Sequence, residues 1–224
     1  MDEHGHTHNR DESLIPKHGG YRKLKTFQLS EVIYDVTVKF CEKYLDKRSR
    51  TVDQMVQAAR SGRQNIAEGS MDSGTSKKIE MKLTGVAKGS LEELKLDYED
   101  YLRQRGFPKW EPDHPALVRF KKLRCTNLED FRQWVAQEVL MDKHGPTQTN
   151  TDKHRLTPTN TDNIVRESLC PSVYVANGTL SLLNLCTYLL DRQMKAQAAA
   201  FEQDGGFTER LYKKRTDARK RRLD

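Results

Sequence analysis

The sequence predicts an all-α protein, an antiparallel up-down-up-down four-helix bundle with an insertion of short helices between the third and fourth bundle helices. Apolar residues recur at helical spacing over long stretches, and short polar or glycine-containing breaks separate those stretches. A content of 35% hydrophobic and 32% charged residues is enough for one narrow core. The 224 residues therefore divide into a disordered arm at 1–22, bundle helices one to three at 23–106, the insertion at 107–165, bundle helix four at 166–204 and a basic suffix at 205–224.

The first two bundle helices each carry one apolar stripe. The first stripe predicts a helix ending near Lys47, and its residues are Leu29, Val32, Ile33, Val36 and Phe40. Thr51 is a candidate N-cap for the second helix, and Gly69 is a candidate C-cap glycine that would end it. The second stripe contains Val52, Met55, Val56, Ala59, Ile66 and Ala67.

The third bundle helix is the longest predicted element before the insertion. Thr75 and Ser76 open it, it runs to about Arg105, and the Gly106–Pro108 segment ends it. The predicted stripe is Ile79, Leu83, Val86, Ala87, Ser90, Leu91, Leu94, Tyr98, Tyr101 and Leu102. Within it, Gly85 and Gly89 are spaced to let another helix approach closely, either in the bundle or between subunits.

The insertion and the fourth helix follow. Residues 113–124 and 127–141 each predict a short helix, the second with Leu128, Phe131, Val135, Val139 and Leu140 on its apolar face. A run rich in Thr, Asn and Asp after Lys143 predicts a mobile loop. Pro171, a favoured first residue of helices, begins the last bundle helix, which extends to about Gln203 before Gly205 and Gly206 break it.

The suffix carries most of the positive charge. Residues 207–224 hold eight basic and three acidic side chains, which is +5 of the formal +7 of the chain. Cations clustered with Phe207 and Tyr212 favour phosphate contacts and base stacking, so this suffix is the predicted nucleic-acid-binding segment. Its contact residues are Arg210, Lys213, Lys214, Arg215, Arg219, Lys220, Arg221 and Arg222. A solvated helix end that aids solubility is the alternative. A second basic run, residues 119–124, could join this segment; the interpretation that we favour is the exposed face of a short helix.

Catalytic and metal-binding chemistry find little support in the sequence. The alternating histidines His4, His6 and His8 could bind a metal weakly, but the arm supplies no further ligands. Glu111 and His114 match one half of a di-iron motif that needs two copies. We therefore expect no enzyme, no cofactor and no metal site. Without a long apolar run or a leader-like N-terminus, we expect a cytoplasmic protein that does not contact membranes, with four reduced cysteines.

Two segments resemble a known family. The run Gln54–Ser61 followed by N-I-A-E-G at 65–69, and G-S-L-E-E-L at 89–94, are similar to the signatures of the four-helix-bundle proteins encoded in intervening sequences of bacterial 23S rRNA genes. The accessory variability determinant protein of diversity-generating retroelements is related to that family. Residues 189–211 resemble its branch that bears a C-terminal suffix. Gly62 departs from the family pattern, which prefers a β-branched residue there, and the insertion is longer than the usual loop.

The resemblance implies a bundle that assembles into a homo-oligomer, a pentamer in relatives, with RNA or DNA and a reverse transcriptase or other protein as possible partners. It also implies mainly structural roles for the motif residues Asn65, Glu68, Gly69, Gly89, Ser90 and Glu93. In that role Asn65 would bond a neighbouring helix and Glu68 a backbone amide or a cation; a polar contact surface is the alternative. The sequence-based hypothesis is a non-catalytic, oligomeric, nucleic-acid-binding accessory protein. A protein-interaction scaffold without a nucleic-acid role is the alternative.

Overall fold

The protein is all-α throughout the residues that the structure, a computed structural model, describes, which are 18–144 and 170–222. This confirms the predicted class. A 3-10 turn at Tyr21–Lys23 precedes the α-helices, whose bounds are α1 Lys25–Tyr44, α2 Arg50–Asp72, α3 Lys77–Gln104, α4 Pro115–Leu123, α5 Leu128–His144, α6 Pro171–Asp204 and α7 Phe207–Lys220. The predicted loop at 145–163, the next six residues, and the part of the arm that holds His4, His6 and His8 lie outside the described residues.

The core lies between the four longest helices. Helix α1 packs against α2 and α6, and α3 packs against the same two helices. Their stripes supply the largest side chains that solvent does not reach, among them Ile33, Phe40, Met55, Leu91, Leu94, Tyr98, Leu102, Leu183 and Leu190. Burial of these side chains is the main favourable term of folding, at about 1.5–3 kcal/mol for each large apolar residue.

Specific contacts fix how each pair of long helices lies together. Cys41 near the end of α1 meets Met55 near the start of α2, with 4.0 Å between their sulfurs. Ser61 of α2 and Ser90 of α3 share a hydrogen bond of 2.9 Å. Gln197, near the end of α6, donates to the Glu80 carboxylate near the start of α3 at 3.0 Å. In two of these pairs, the C-terminal part of one helix contacts the N-terminal part of the other. In the third pair, α2 and α3 contact each other near their middles.

The short helices α4 and α5 pack against α6 through an aromatic cluster. The rings of Phe120, Phe131 and Trp134 lie 4.5–5.6 Å apart, and all three side chains are buried. Gly178 of α6 faces this cluster, and a Cβ there would lie 2.6 Å from the Trp134 ring. The two predicted short helices are thus confirmed, and the absence of a side chain at Gly178 lets them approach α6.

Two helix ends differ from the prediction. Gly69 does not cap α2, which continues to Asp72. Gly69 is instead a position of close helix approach, because a Cβ there would lie 3.3 Å from the carbonyl oxygen of Glu80 in α3. The N-cap of α2 is Ser49, whose hydroxyl accepts the N–H of Thr51, so Thr51 already lies within the helix. The predicted opening of the third helix at Ser76 is confirmed, since Ser76 is its N-cap and its hydroxyl accepts the N–H of Ile79 at 3.3 Å.

Three residues of the predicted stripes are exposed rather than buried. Ile79 and Val86 of α3 are 46% and 44% exposed, and Leu140 of α5 is 54% exposed. The buried positions nearby are Thr84 in α3 and Trp134 and Glu138 in α5. A straight α-helix has 3.6 residues per turn, whereas the predicted stripes follow a heptad of 3.5 residues per turn. The buried face of the helix therefore rotates away from the predicted stripe over its length.

One helical segment of the described chain, Pro171–Lys220, is long and apolar enough to cross a membrane by length and composition alone. The apolar window of this segment is 67% buried inside the protein. That burial is typical of a core helix, as the contacts of α6 with α1 and α3 also indicate.

Candidate nucleic-acid interface

The basic suffix forms a separate helix because two glycines break the chain after α6. Gly205 ends α6 with a φ of +65°, a conformation that residues other than glycine adopt at a cost. The next residue, Gly206, has an extended conformation, and its N–H donates to the Glu209 carboxylate at 2.9 Å. This bond satisfies one of the free N–H groups at the start of α7. The predicted break is confirmed, and the suffix after it is helical.

Helix α7 is exposed along its whole length. None of its residues is buried, and the Tyr212 ring is 74% exposed. Only Phe207, Arg210, Leu211 and Thr216 are half-buried. A helix that buries so little of its own surface owes little of its stability to the core, and its side chains are available to a partner.

The eight predicted contact residues lie on this helix or directly after it. Six are within α7, and Arg221 and Arg222 follow its last turn. At 100° per residue they surround the helix rather than forming one stripe, since Arg210, Arg215 and Lys220 point in three different directions. The structure therefore places the predicted cations together on one exposed rod, without a single basic face.

Within the described chain, no carboxylate forms an ion pair with Arg210, Lys213, Arg215, Arg219, Lys220, Arg221 or Arg222. The charge on α7 is therefore poorly compensated. In addition, the Nε of Arg210 is buried and has no hydrogen-bond partner among the described residues.

Two of the four cations in the second basic run, Arg119 and Lys121, make internal contacts. Arg119 forms a bidentate pair with Glu138, with nitrogen–oxygen distances of 2.7 and 2.5 Å. Lys121 donates to the carbonyl oxygen of Pro112 at 2.6 Å. These bonds favour the interpretation of residues 119–124 as a solvated helix face rather than as an extension of the nucleic-acid interface.

Two of the family-motif residues, Gly69 and Ser90, make contacts between α2 and α3, whereas the prediction for Asn65 is wrong. Asn65 donates to the carbonyl oxygen of Ser61 at 2.9 Å and to its hydroxyl at 3.2 Å, so it bonds its own helix rather than a neighbouring one. The interhelical bond comes from the pair of Ser61 and Ser90. The carboxylates Glu68 and Glu93 are exposed.

For the two glycines of α3, only the predicted close approach within the bundle can be compared with the structure. A Cβ on Gly89 would meet nothing within 4 Å, and one on Gly85 would meet only the end of Met194 at 3.8 Å. Neither glycine therefore mediates a close helix approach within the described part of the chain, and an approach between subunits stays a prediction. By contrast, a Cβ at Gly62 would lie 2.6 Å from the Leu91 side chain, so the departure from the family pattern at Gly62 coincides with tight packing.

Among the described residues there is no cluster of three or more His, Cys, Asp or Glu that could hold a metal. Burial raises the pKa of Cys41 and Cys186 to about 12 and that of Cys125 to about 11, which keeps these thiols neutral and unreactive. His114 stacks on Trp110 at 4.2 Å, and desolvation followed by the charge of Arg119 lowers its pKa.

Two features of the described chain were not predicted from the sequence. One is the ion pair of Arg119 with Glu138, a carboxylate that is only 3% exposed. The other is a pocket of about 720 Å³ between α1, α3, α4 and α6. The residues that line it come from four elements far apart in the sequence, so no local pattern could indicate it.

No protein-family model matches this chain, and neither a curated protein nor a solved structure shows significant similarity to it.

Proposed function

We propose that this protein is a non-catalytic, oligomeric accessory protein that binds RNA or DNA through α7 and the two arginines that follow it. The observation that carries the proposal is an exposed helix whose cations have almost no carboxylate partners in the described chain. Such a helix is complementary to a phosphate backbone, where each neutralised phosphate releases condensed counterions.

The distribution of the cations indicates the type of binding. Because they surround the helix, α7 can contact phosphates on both sides of a groove or along a single strand. Tyr212 is exposed between them and offers a ring for base stacking. The carboxylate of Glu209 is occupied with the N–H of Gly206. We therefore propose binding that tolerates many sequences and weakens steeply with salt.

For the architecture, we propose that α1, α2, α3 and α6 form an antiparallel up-down-up-down four-helix bundle of the family encoded in 23S rRNA intervening sequences. The pairing of Cys41 with Met55 and of Gln197 with Glu80 supports this order of helices. Self-association, with a pentamer as the form that the resemblance implies, would present several α7 helices on one particle. Weak single contacts would then add up to strong binding. A cytoplasmic location belongs to the same proposal.

The experiment compares the full chain with a chain that ends at Asp204, in mobility-shift titrations with single-stranded RNA and with duplex DNA. Since α7 buries no residue, the shortened chain should keep the thermal transition of the full one, and a circular-dichroism melt checks this. We expect the shortened chain to lose binding by at least tenfold. Undiminished binding by a folded shortened chain would refute the assignment of the interface to α7.

A protein-interaction scaffold is the second candidate function. The exposed apolar residues Val86 and Leu96 of α3 favour it, because they lie on the outer side of that helix beside the open glycine Gly89. A pull-down from nuclease-treated lysate separates the two candidates. Recovery of one stoichiometric protein, together with no shift of RNA or DNA by the full chain, would support the scaffold.

A further inference from the structure

The pocket between α1, α3, α4 and α6 has an apolar interior. Its walls include Leu29, Leu117, Phe120, Leu180 and Leu182, all of them buried, and its mouth carries the partly exposed Leu185 and Tyr188. A volume of about 720 Å³ is within the range of sites for small organic ligands, which is roughly 300–1,000 Å³. The amide of Asn177, which also lines it, is already engaged by the N–H of Trp110 and the carbonyl oxygens of Pro108 and Val173.

Cations surround this apolar interior. The lining includes five of them, Lys25, Lys95, Lys109, Lys121 and Arg124, against a single carboxylate, Glu99. Glu99 pairs with Lys109 at 3.0 Å. Lys25 and Arg124 have no ion pair within the described part of the chain. The rim therefore has a surplus of positive charge beside a hydrophobic cavity.

Arg124 occupies this rim at a backbone cost. It ends α4 in the left-handed conformation, with φ 50° and ψ 48°, and it is the sole non-glycine residue with a positive φ in the described ranges. Glycine is the usual residue at this position after a helix, because other residues are strained there by about 1–2 kcal/mol. An arginine in its place adds a cation to the lining of the pocket.

We propose that this pocket binds an amphipathic monoanion of the fatty-acid class, with its alkyl chain among the leucines and its carboxylate at Lys25 and Arg124. The inner walls provide apolar surface and few free hydrogen-bonding groups, which suits an alkyl chain better than a nucleobase. The cationic rim selects an anionic head group over a neutral or positive one of the same length. This activity is independent of nucleic-acid binding by α7.

The test is isothermal titration calorimetry of the full chain with dodecanoate below its micellar concentration, with tryptophan fluorescence as a second signal because Trp110 lines the pocket. Octanoate, decanoate and dodecanoate should bind with an affinity that rises about threefold to fourfold for each added methylene. Dodecanol and dodecyltrimethylammonium have the same tail without the negative charge, and both should bind at least tenfold more weakly than dodecanoate.

Two variants and one control locate the site. Arg124→Gly should weaken dodecanoate binding about tenfold without lowering the melting temperature, because glycine relieves the left-handed conformation. Leu185→Asp, at a side chain that is 44% exposed, should weaken it further by placing a carboxylate at the mouth. The control Lys122→Gln changes a neighbouring cation that does not line the pocket, and binding should not change.

Equal affinity for dodecanoate and dodecyltrimethylammonium would overturn the proposal, as would undiminished binding by both Arg124→Gly and Leu185→Asp. The absence of heat and fluorescence change at millimolar dodecanoate would overturn it as well. Loss of binding in the two pocket variants, with unchanged binding by Lys122→Gln, would support it.

Discussion

Replacing Gly62 by alanine should destabilise the protein, although alanine is the better helix former. Gly62 lies inside α2, and a Cβ there would approach Cδ2 of Leu91 to 2.6 Å and Cγ of Leu91 to 2.7 Å. Leu91 is fully buried at the centre of α3, so its side chain has little room to move away. The added methyl must therefore displace Leu91 or push α2 away from α3.

The expected change in the free energy of unfolding for Gly62→Ala is the sum of two opposing effects. The change from glycine to alanine in a helix interior stabilises by about 1 kcal/mol, whereas forcing an extra carbon into a packed core costs about 1–3 kcal/mol. We expect a net loss of about 1 kcal/mol in the free energy of unfolding for Gly62→Ala. The same change at Gly89, where a Cβ meets nothing within 4 Å, should instead stabilise by about 1 kcal/mol.

Urea unfolding followed by far-UV circular dichroism measures both variants beside the parent chain. The difference of about 2 kcal/mol between them corresponds to several degrees in melting temperature for a chain of this size. In a Leu91→Ala background the clash is removed, so Gly62→Ala should become stabilising there. Equal stabilisation by Gly62→Ala and Gly89→Ala in the parent chain would refute the packing that we describe.

Three further predictions concern particular side chains. In the native protein, a disulfide reagent at pH 8 should label the exposed Cys170 rapidly. The buried thiols should stay unlabelled until urea unfolds the chain; they are Cys41, Cys125 and Cys186. Rapid labelling of all four cysteines would contradict this burial. Arg119→Ala should lower the free energy of unfolding by about 2 kcal/mol, because it leaves the buried Glu138 carboxylate without its partner. A double variant that also has Glu138→Leu should recover part of this loss. If the losses of the two single variants simply add up in the double variant, the two side chains are not coupled. Asn177→Leu should lower the free energy of unfolding, measured in urea, by about 2–3 kcal/mol. It removes the acceptor of the backbone N–H of Trp110 and the donor to two backbone carbonyl groups. A loss below about 0.5 kcal/mol would contradict these bonds.

The class of the fold and the existence of its helices were predictable, because apolar spacing depends on residues close in sequence. The function of individual glycines was not. The sequence around Gly69 is typical of a helix end, and Gly62 departs from the family pattern inside a helix. In the structure, both glycines lie where α2 packs closely against α3. Those contacts depend on how two helices meet, which no single stretch of sequence contains. Gly85 and Gly89 show the converse, since a motif typical of close packing is open in the structure.

For the candidate sites, the sequence located the basic suffix but not its relation to the rest of the chain. Charge clustering is a local property, so the cations of α7 were found directly. Their exposure depends on the turn at Gly205, which separates α7 from α6. The pocket was not predicted because its walls join residues as distant as Lys25 and Leu185. Neither could the pair of Arg119 with Glu138 be predicted, since it joins two different helices.

The most direct test of the account is the salt dependence of nucleic-acid binding. The logarithm of the association constant for duplex DNA is measured against the logarithm of the salt concentration for the full chain, for the triple variant Lys213→Gln, Arg215→Gln, Arg219→Gln, and for a control triple variant Arg60→Gln, Lys78→Gln, Lys82→Gln. Each phosphate contact contributes about −0.9 to the slope, so the α7 triple variant should lose up to about 2.7 of its magnitude. The control, which removes the same charge from exposed positions on α2 and α3, should keep the slope of the full chain. An equal change in both triple variants, or an unchanged slope in the α7 variant, would contradict a phosphate-binding role for α7.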